Sequence, residues 1–298
     1  MRTDVGIAFA GGGIKTLCQP AFIEWMEVNN IHPQCVSGTS AGAMIASLVA
    51  MGLPADEIFD EIKEAILELE KRKVLRVSGI ELLFQKNVKH GLIDGHRMLE
   101  IIEAICVKHG FEHISDVKIP LALTAVDLYT GTLVVFVSHP HLYKSTHPRT
   151  EVISDIKLST AITASMSFPM VFGSVEYEDY ALIDGGVRMN APIPMLRDYG
   201  AKKTLALTMR STIDREASLD KALEVASRVY DVLSREAEAR HVSRADYLLN
   251  FPVKPKNIFD LNAAHDIYNH GKEVVVAHDE SLKAFFKKDI WAHIKELF

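Results

Sequence analysis

Residues 35–51 read CVSGTSAGAMIASLVAM, and the change of pattern inside that run decides the fold. Cys35-Val36-Ser37 is a short strand-like segment, and Gly38-Thr39-Ser40-Ala41-Gly42 breaks it sharply. The following residues 43–51 are apolar on nearly all sides, which predicts a buried helix, with Gly52 as its C-terminal stop. A buried strand, a tight turn and a buried helix in succession are the repeating unit of layered α/β folds.

The same alternation continues outward in both directions. Residues 5–10 read as a buried strand ended by Gly11-Gly12-Gly13, and residues 17–29 as a helix. Ile58, Phe59, Ile62, Ala65, Ile66 and Leu69 recur at three- and four-residue steps within 55–74, predicting an amphipathic helix. Its apolar face suits packing on the domain, and a lid or lipid-contacting helix is the alternative. Asp94 is placed to cap a helix running to Gly110. Residues 120–126 and 132–137 form a candidate hairpin around Asp127-Leu128-Tyr129-Thr130-Gly131. A helix is expected over 154–166, stopped before Pro169, then strands near 175–177, 181–183 and 204–208. A long charged helix over 219–244, a strand at 247–251 and a helical tail complete the chain. The expected architecture is α/β with a largely parallel central sheet. Residues 1–210 would form the catalytic part, and 211–298 a mostly helical extension of the same domain.

The composition narrows the function classes. Of 298 residues 48% are hydrophobic and the formal net charge is −6, so a large core is available and no basic field invites nucleic acid. Three scattered cysteines, Cys18, Cys35 and Cys106, suit buried thiols in a reducing compartment better than a disulfide framework or zinc site. The N-terminal run lacks the long apolar stretch of a secretory signal, and the longest apolar stretch is too short to span a bilayer. A cytoplasmic protein is the expectation.

Three segments carry chemistry. Gly38-Thr39-Ser40-Ala41-Gly42 has the pattern of a nucleophile elbow, in which serine projects from a strained strand-to-helix turn between glycines. Gly11-Gly12-Gly13 lets backbone N–H groups approach a substrate carbonyl; with the Ala41 N–H they could hold the oxyanion of a tetrahedral intermediate. A phosphate loop is the other reading of three glycines. It fails because Thr16 stands where the dinucleotide fingerprint needs glycine and no Gly-Lys-Ser/Thr follows. Asp184-Gly185-Gly186 ends an apolar run, so Asp184 is either a turn residue or a carboxylate in reach of the serine.

These segments together resemble the patatin-like phospholipases. AFAGGGIK (8–15), GTSAG (38–42), TAVDLYTG (124–131), ASMSFPMVF (164–172) and DGGVRMNAPI (184–193) occur in that family's order and rough spacing, and the tail 259–271 is also similar. The resemblance implies a three-layer α/β/α fold and a serine–aspartate dyad acting on lipid esters. It maps Ser40 to the nucleophile, Asp184 to the base, and Gly11, Gly12 and Gly13 to the oxyanion loop. It implies no cofactor and no metal, with a lipid or other acyl ester as substrate and transient contact with a membrane surface. Thr16 departs from the family's Gly-Gly-Gly-x-x-Gly, and Gln19-Pro20 stands where small residues are usual. Both changes are expected to alter how the next helix packs.

Other readings use the same residues. An acyltransferase would share the acyl-serine, and a silent lipid-binding protein would share the fold. A serine–histidine–acid triad would draw on His241, His265, His270, His278 or His293. His139, His141 and His147 lie in a proline-containing loop without a carboxylate or cysteine at ligand spacing, which argues against a metal. Asp127 could serve as a second acid, but its place in the candidate hairpin favours a structural role.

Overall fold

The computed structural model describes residues 3–71, 91–93, 95–210, 222–253 and 263–295. The chain opens with β1 (Val5–Phe9), α1 (Pro20–Val28), β2 (Cys35–Thr39), α2 (Ala41–Met51) and α3 (Ala55–Lys71). Then come β3 (Gly91–Ile93), α4 (His96–Lys108), β4 (Leu121–Asp127), β5 (Leu133–Val137), β6 (Thr150–Ile153) and α5 (Leu158–Met166). Next are β7 (Met170–Phe172), β8 (Val175–Tyr177), β9 (Tyr180–Asp184), α6 (Ile193–Asp198) and β10 (Lys203–Thr208). The last elements are α7 (Ala222–Val242), β11 (Tyr247–Asn250), α8 (Ala264–Ala277) and α9 (Asp279–Lys295).

Among the described residues nine strands form one sheet in the order β11-β10-β1-β2-β4-β5-β6, with β9 also on β4 and β8 on β9. From β11 to β4 every pairing is parallel, while β5 and β9 run antiparallel to β4. The parallel strands are covered on both faces, which is why β1 and β2 are buried at every position instead of alternating. Side chains along β2 still point to opposite faces. Cys35 and Ser37 contact Leu196 and Pro192 beside α6, whereas Gly38 lies against Gly42, Ala43 and Ala46 of α2. Helices thus flank the sheet on both sides, as the α/β reading required.

α3 buries Ile58, Phe59 and Ile62, and Ala65, Ile66 and Leu69 are partly buried against the core, so its apolar face packs on the protein. The 120–137 hairpin forms as β4 and β5. Two boundaries differ from expectation. Residues 150–153 are a strand and the following helix begins only at Leu158, because Lys157 is held extended in a β-bridge with His113. A short 3-10 turn over Gly13–Cys18 precedes α1, which starts at Pro20, where a missing N–H costs nothing. The expected cap Asp94, the end of the 55–74 helix and part of the 259–271 motif lie outside the described residues. Cys18, Cys35 and Cys106 are buried free thiols, and burial pushes Cys35 and Cys106 up to about 12. No helix among the described residues is long and apolar enough to cross a membrane.

Candidate active site

Ser40 sits at the junction of β2 and α2 with φ 57 and ψ −136, a conformation that side-chain-bearing residues rarely adopt. Its neighbours hold it there. The Ser40 N–H donates to Ser165 Oγ at 3.0 Å, and that hydroxyl donates to Thr124 O at 2.7 Å. The flanking glycines are set by close packing. A Cβ on Gly38 would lie 2.4 Å from Gly42 O, and one on Gly42 would lie 2.3 Å from Phe9 O. The turn also leaves the first amides of α2, beginning with Ala41, at the positive end of the helix.

β4 brings Asp184 to this turn. Thr39 is paired with Thr124 and Asp184 with Ala125, so the residues beside the elbow and the aspartate occupy consecutive positions along one strand. The two threonine hydroxyls lock the junction at 2.6 Å. Asp184 is fully buried, and its Oδ1 accepts the Gly186 N–H at 2.8 Å. Oδ2 has no hydrogen bond of normal geometry, which leaves a lone pair for an incoming proton. Desolvation raises the Asp184 pKa to about 6, against the pull of the Ser40 hydroxyl, the Gly186 amide and the Tyr230 hydroxyl. That value makes the group a base at neutral pH and a competent acid in its protonated form.

Tyr230 escaped sequence reasoning. It projects from α7, and its hydroxyl is so close to Gly186 that a Cβ there would lie 2.3 Å away. Burial and then the Asp184 charge push the phenol well above its ordinary pKa, so it remains a donor. Its ring packs on Phe168 at 4.3 Å. No motif marks this tyrosine, because only the packing of α7 over the 3-10 turn Gly185–Val187 makes it a neighbour.

The glycine loop divides its duties. Gly11 N–H donates to Asn190 O at 3.3 Å, and a Cβ on Gly11 would lie 2.7 Å from both Ser40 Cβ and Asn190 Oδ1. Gly11 therefore lets the loop approach the elbow. Among the described residues the N–H groups of Gly12 and Gly13 donate to no backbone carbonyl, and the space beside Gly13, at φ +57, is open. The two sequence departures brace the loop. Buried Thr16 donates through Oγ1 to Gly13 O at 2.8 Å, and Gln19 donates through Nε2 to Ala10 O at 3.1 Å.

A sequence profile described as patatin-like phospholipase matches residues 7–197, which include Ser40, Asp184 and the glycine loop. The chain belongs to the patatin-like phospholipase family. It is 26% identical over 246 residues to YqhO of Bacillus subtilis (strain 168), an uncharacterised protein, covering 79% of this chain and 82% of that one. A probable lipid hydrolase of Invertebrate iridescent virus 6 is 28% identical, with 66% of this chain and 64% of the viral protein covered. A cGAMP-activated phospholipase of Pseudomonas aeruginosa (strain BWHPSA011 / Pa011) is 25% identical, covering 72% of this chain and 66% of its own length. Among solved structures, VipD from Legionella pneumophila aligns with a TM-score of 0.43 and 14% identity over 92% of this chain and 66% of that one.

In this patatin-like chain the other candidates fall elsewhere. Among the described residues the groups acting on Asp184 are Ser40, Gly186 and Tyr230, with no histidine. His241 stacks edge-on with His147, and burial, then that neighbour, lower its pKa to about 4. His265 meets Phe59, His270 pairs with Glu273, His278 bonds Val274 O, and the side chain of His293 lies outside the described residues. His139 bonds Ser138. Asp127 is the hairpin clamp, accepting from Thr130 N, Thr130 Oγ1 and Ala181 N. The fold does gather Glu57, Glu61 and His109, three groups the sequence spacing did not connect. Glu57 and Glu61, with Lys108, border a groove of about 390 Å³ beside α3. Lys108 Nζ, 2.6 Å from Glu61 Oε1, and His109 already satisfy that carboxylate, and together they outweigh its desolvation.

Proposed function

We propose that this chain cleaves carboxylic esters of lipids through an acyl-serine on Ser40, with Asp184 as the proton carrier. One observation carries the reading: a serine in a strained elbow meets a fully buried carboxylate whose pKa is raised to about 6. Ser40 Oγ attacks the ester carbonyl as its proton passes to Asp184. The oxyanion is received by the N–H groups of Gly12, Gly13 and Ala41. Collapse expels the alcohol, which takes the proton from Asp184 and leaves the acyl-enzyme. Water then repeats the sequence, giving its proton to Asp184 and its oxygen to the fatty acid, and Ser40 recovers its hydrogen. Each backbone donor of such a hole is worth ~3 kcal/mol of barrier.

A fluorophosphonate should add one adduct to the intact protein, on the peptide containing Ser40. An adduct that persists in Ser40→Ala would send the nucleophile elsewhere. A panel of p-nitrophenyl esters and phospholipids then separates lipid from other ester substrates by product analysis.

Tyr230→Phe should shift the acid limb of kcat/KM to higher pH. The phenol beside Asp184 favours its charged form, so its loss favours the protonated form and raises the pKa. Turnover on the alkaline plateau should stay within about tenfold, since the base itself remains. An unmoved limb would show that the hydroxyl does not act on Asp184.

His241→Gln should likewise leave kcat within about tenfold once stability effects of ~1 kcal/mol are allowed for. A loss matching Ser40→Ala in a folded protein would replace the dyad by a triad.

A further inference from the structure

α7 is built inside out. Its inward side carries Tyr230, Ser234, Glu238 and His241, spaced by four, four and three residues, with the last three 7%, 4% and 9% exposed. Its outward side carries Val225, Val229, Val232 and Leu233, exposed to 44%, 52%, 47% and 53%. Those four fall within one helical face. A surface helix ordinarily turns such a stripe to the core, as α3 does with Ile58, Phe59 and Ile62. Single exposed aliphatic residues are common and mean little, but a continuous apolar face marks a contact surface.

The inward polar groups explain the orientation. Glu238 accepts from Asn190 Nδ2 at 2.6 Å and pairs with Arg210, while Tyr230 serves Asp184. Asn190 in turn bonds the Gly11 carbonyl, so the polar side of α7 is anchored to the glycine loop and to Asp184. Turning the stripe inward would break these contacts. The outward apolar residues are therefore left on the far side of a helix that touches the catalytic groups.

We propose that Val225, Val229, Val232 and Leu233 dock this protein on a lipid surface, placing the ester-cleaving site at the interface where its substrate is concentrated. The proposal rests on the lipid-ester reading of the same site. Charge favours an electrically neutral surface. The chain carries a net −6, and the flanking Arg228 and Arg235 share the single carboxylate of Asp231, which leaves only one positive charge there to draw an anionic surface. A second copy of the chain is a poorer occupant, because four half-exposed side chains on one helix fall far short of the ~800 Å² per partner of a standard interface.

The test is flotation of the full chain with phosphatidylcholine vesicles, in low and high salt, alongside turnover of a short soluble p-nitrophenyl ester. Wild type and Ser40→Ala should float equally, and salt should change little. The triple variant Val229→Glu/Val232→Glu/Leu233→Glu should partition at least tenfold less, yet hydrolyse the soluble ester within about twofold of wild type. The matching triple serine variant should also lose partition, which separates lost apolar contact from added charge. Val276→Glu, at a 74% exposed site on α8, should float like wild type. Equal flotation of wild type and both triple variants overturns the proposal. So does a wild-type dimer that the triple variants dissolve while vesicles bind none of them. If wild type floats through the stripe but cleaves neither soluble nor vesicle ester, docking stands and the catalytic reading fails.

Discussion

Asp184→Asn should lower kcat by several orders of magnitude and make the protein more stable at neutral pH. The amide keeps the shape of the side chain but cannot take the Ser40 proton. The stability gain follows from the site itself, where desolvation raises the pKa from 3.8 to about 6. An aspartate held up in this way binds its proton more tightly folded than unfolded, so stability falls as pH rises from about 4 to about 6 and is flat above. That displacement corresponds to at most about 3 kcal/mol. The asparagine variant lacks the titration, so its advantage should be absent near pH 4 and fully present above about pH 6. Thermal or urea unfolding across that range measures it. A variant less stable than wild type at pH 8 would contradict the desolvated carboxylate. The same titration in catalysis predicts that kcat/KM rises with pH through about 6, since the base must be ionised.

Ser40→Ala and Ser40→Gly should both abolish turnover to the level left by the backbone donors, yet differ in stability. Neither carries a nucleophile, and removing a nucleophile of this kind costs roughly 10⁶ in kcat. At φ 57 and ψ −136, however, any Cβ is strained and glycine is not. Backbone strain of this kind stores ~1–3 kcal/mol, against which glycine loses ~0.4–1 kcal/mol through the freer unfolded chain. Ser40→Gly should therefore be more stable than Ser40→Ala by about 1 kcal/mol, within a range reaching ~2.6 kcal/mol, in urea unfolding. Equal stabilities would mean that the turn relaxes once the serine is gone.

Much of this protein was legible before any coordinates. The two glycines around Ser40 announced a strand-to-helix turn because only a missing Cβ admits Gly42 O at 2.4 Å and Phe9 O at 2.3 Å. The apolar run of residues 5–10 announced a buried strand, and β1 is indeed buried at every position. Asp184 was visible as a candidate through its neighbours in sequence, and the resemblance read over about residues 5–195 agrees with the family profile, which matches residues 7–197 of this chain. Local sequence could not show the partition of the glycine loop, where Asn190 O occupies the Gly11 amide and leaves those of Gly12 and Gly13. Nor could it show that Thr16, a departure from the family pattern, bonds back to Gly13.

Sequence by itself determined the strand, turn and helix around Ser40, because those preferences are local: backbone sterics, glycine and the period of apolar residues. Tertiary structure decided what stands beside the serine. Thr39 and Asp184 are neighbours only because β4 pairs with β2 through Thr124 and with β9 through Ala125. The elevated pKa of Asp184 is a property of complete burial, which no residue possesses alone. The outward stripe of α7 was likewise beyond sequence. Periodicity gives a helix an apolar face, but which way that face turns depends on what holds its other side, here Asp184 and Asn190 through Tyr230 and Glu238.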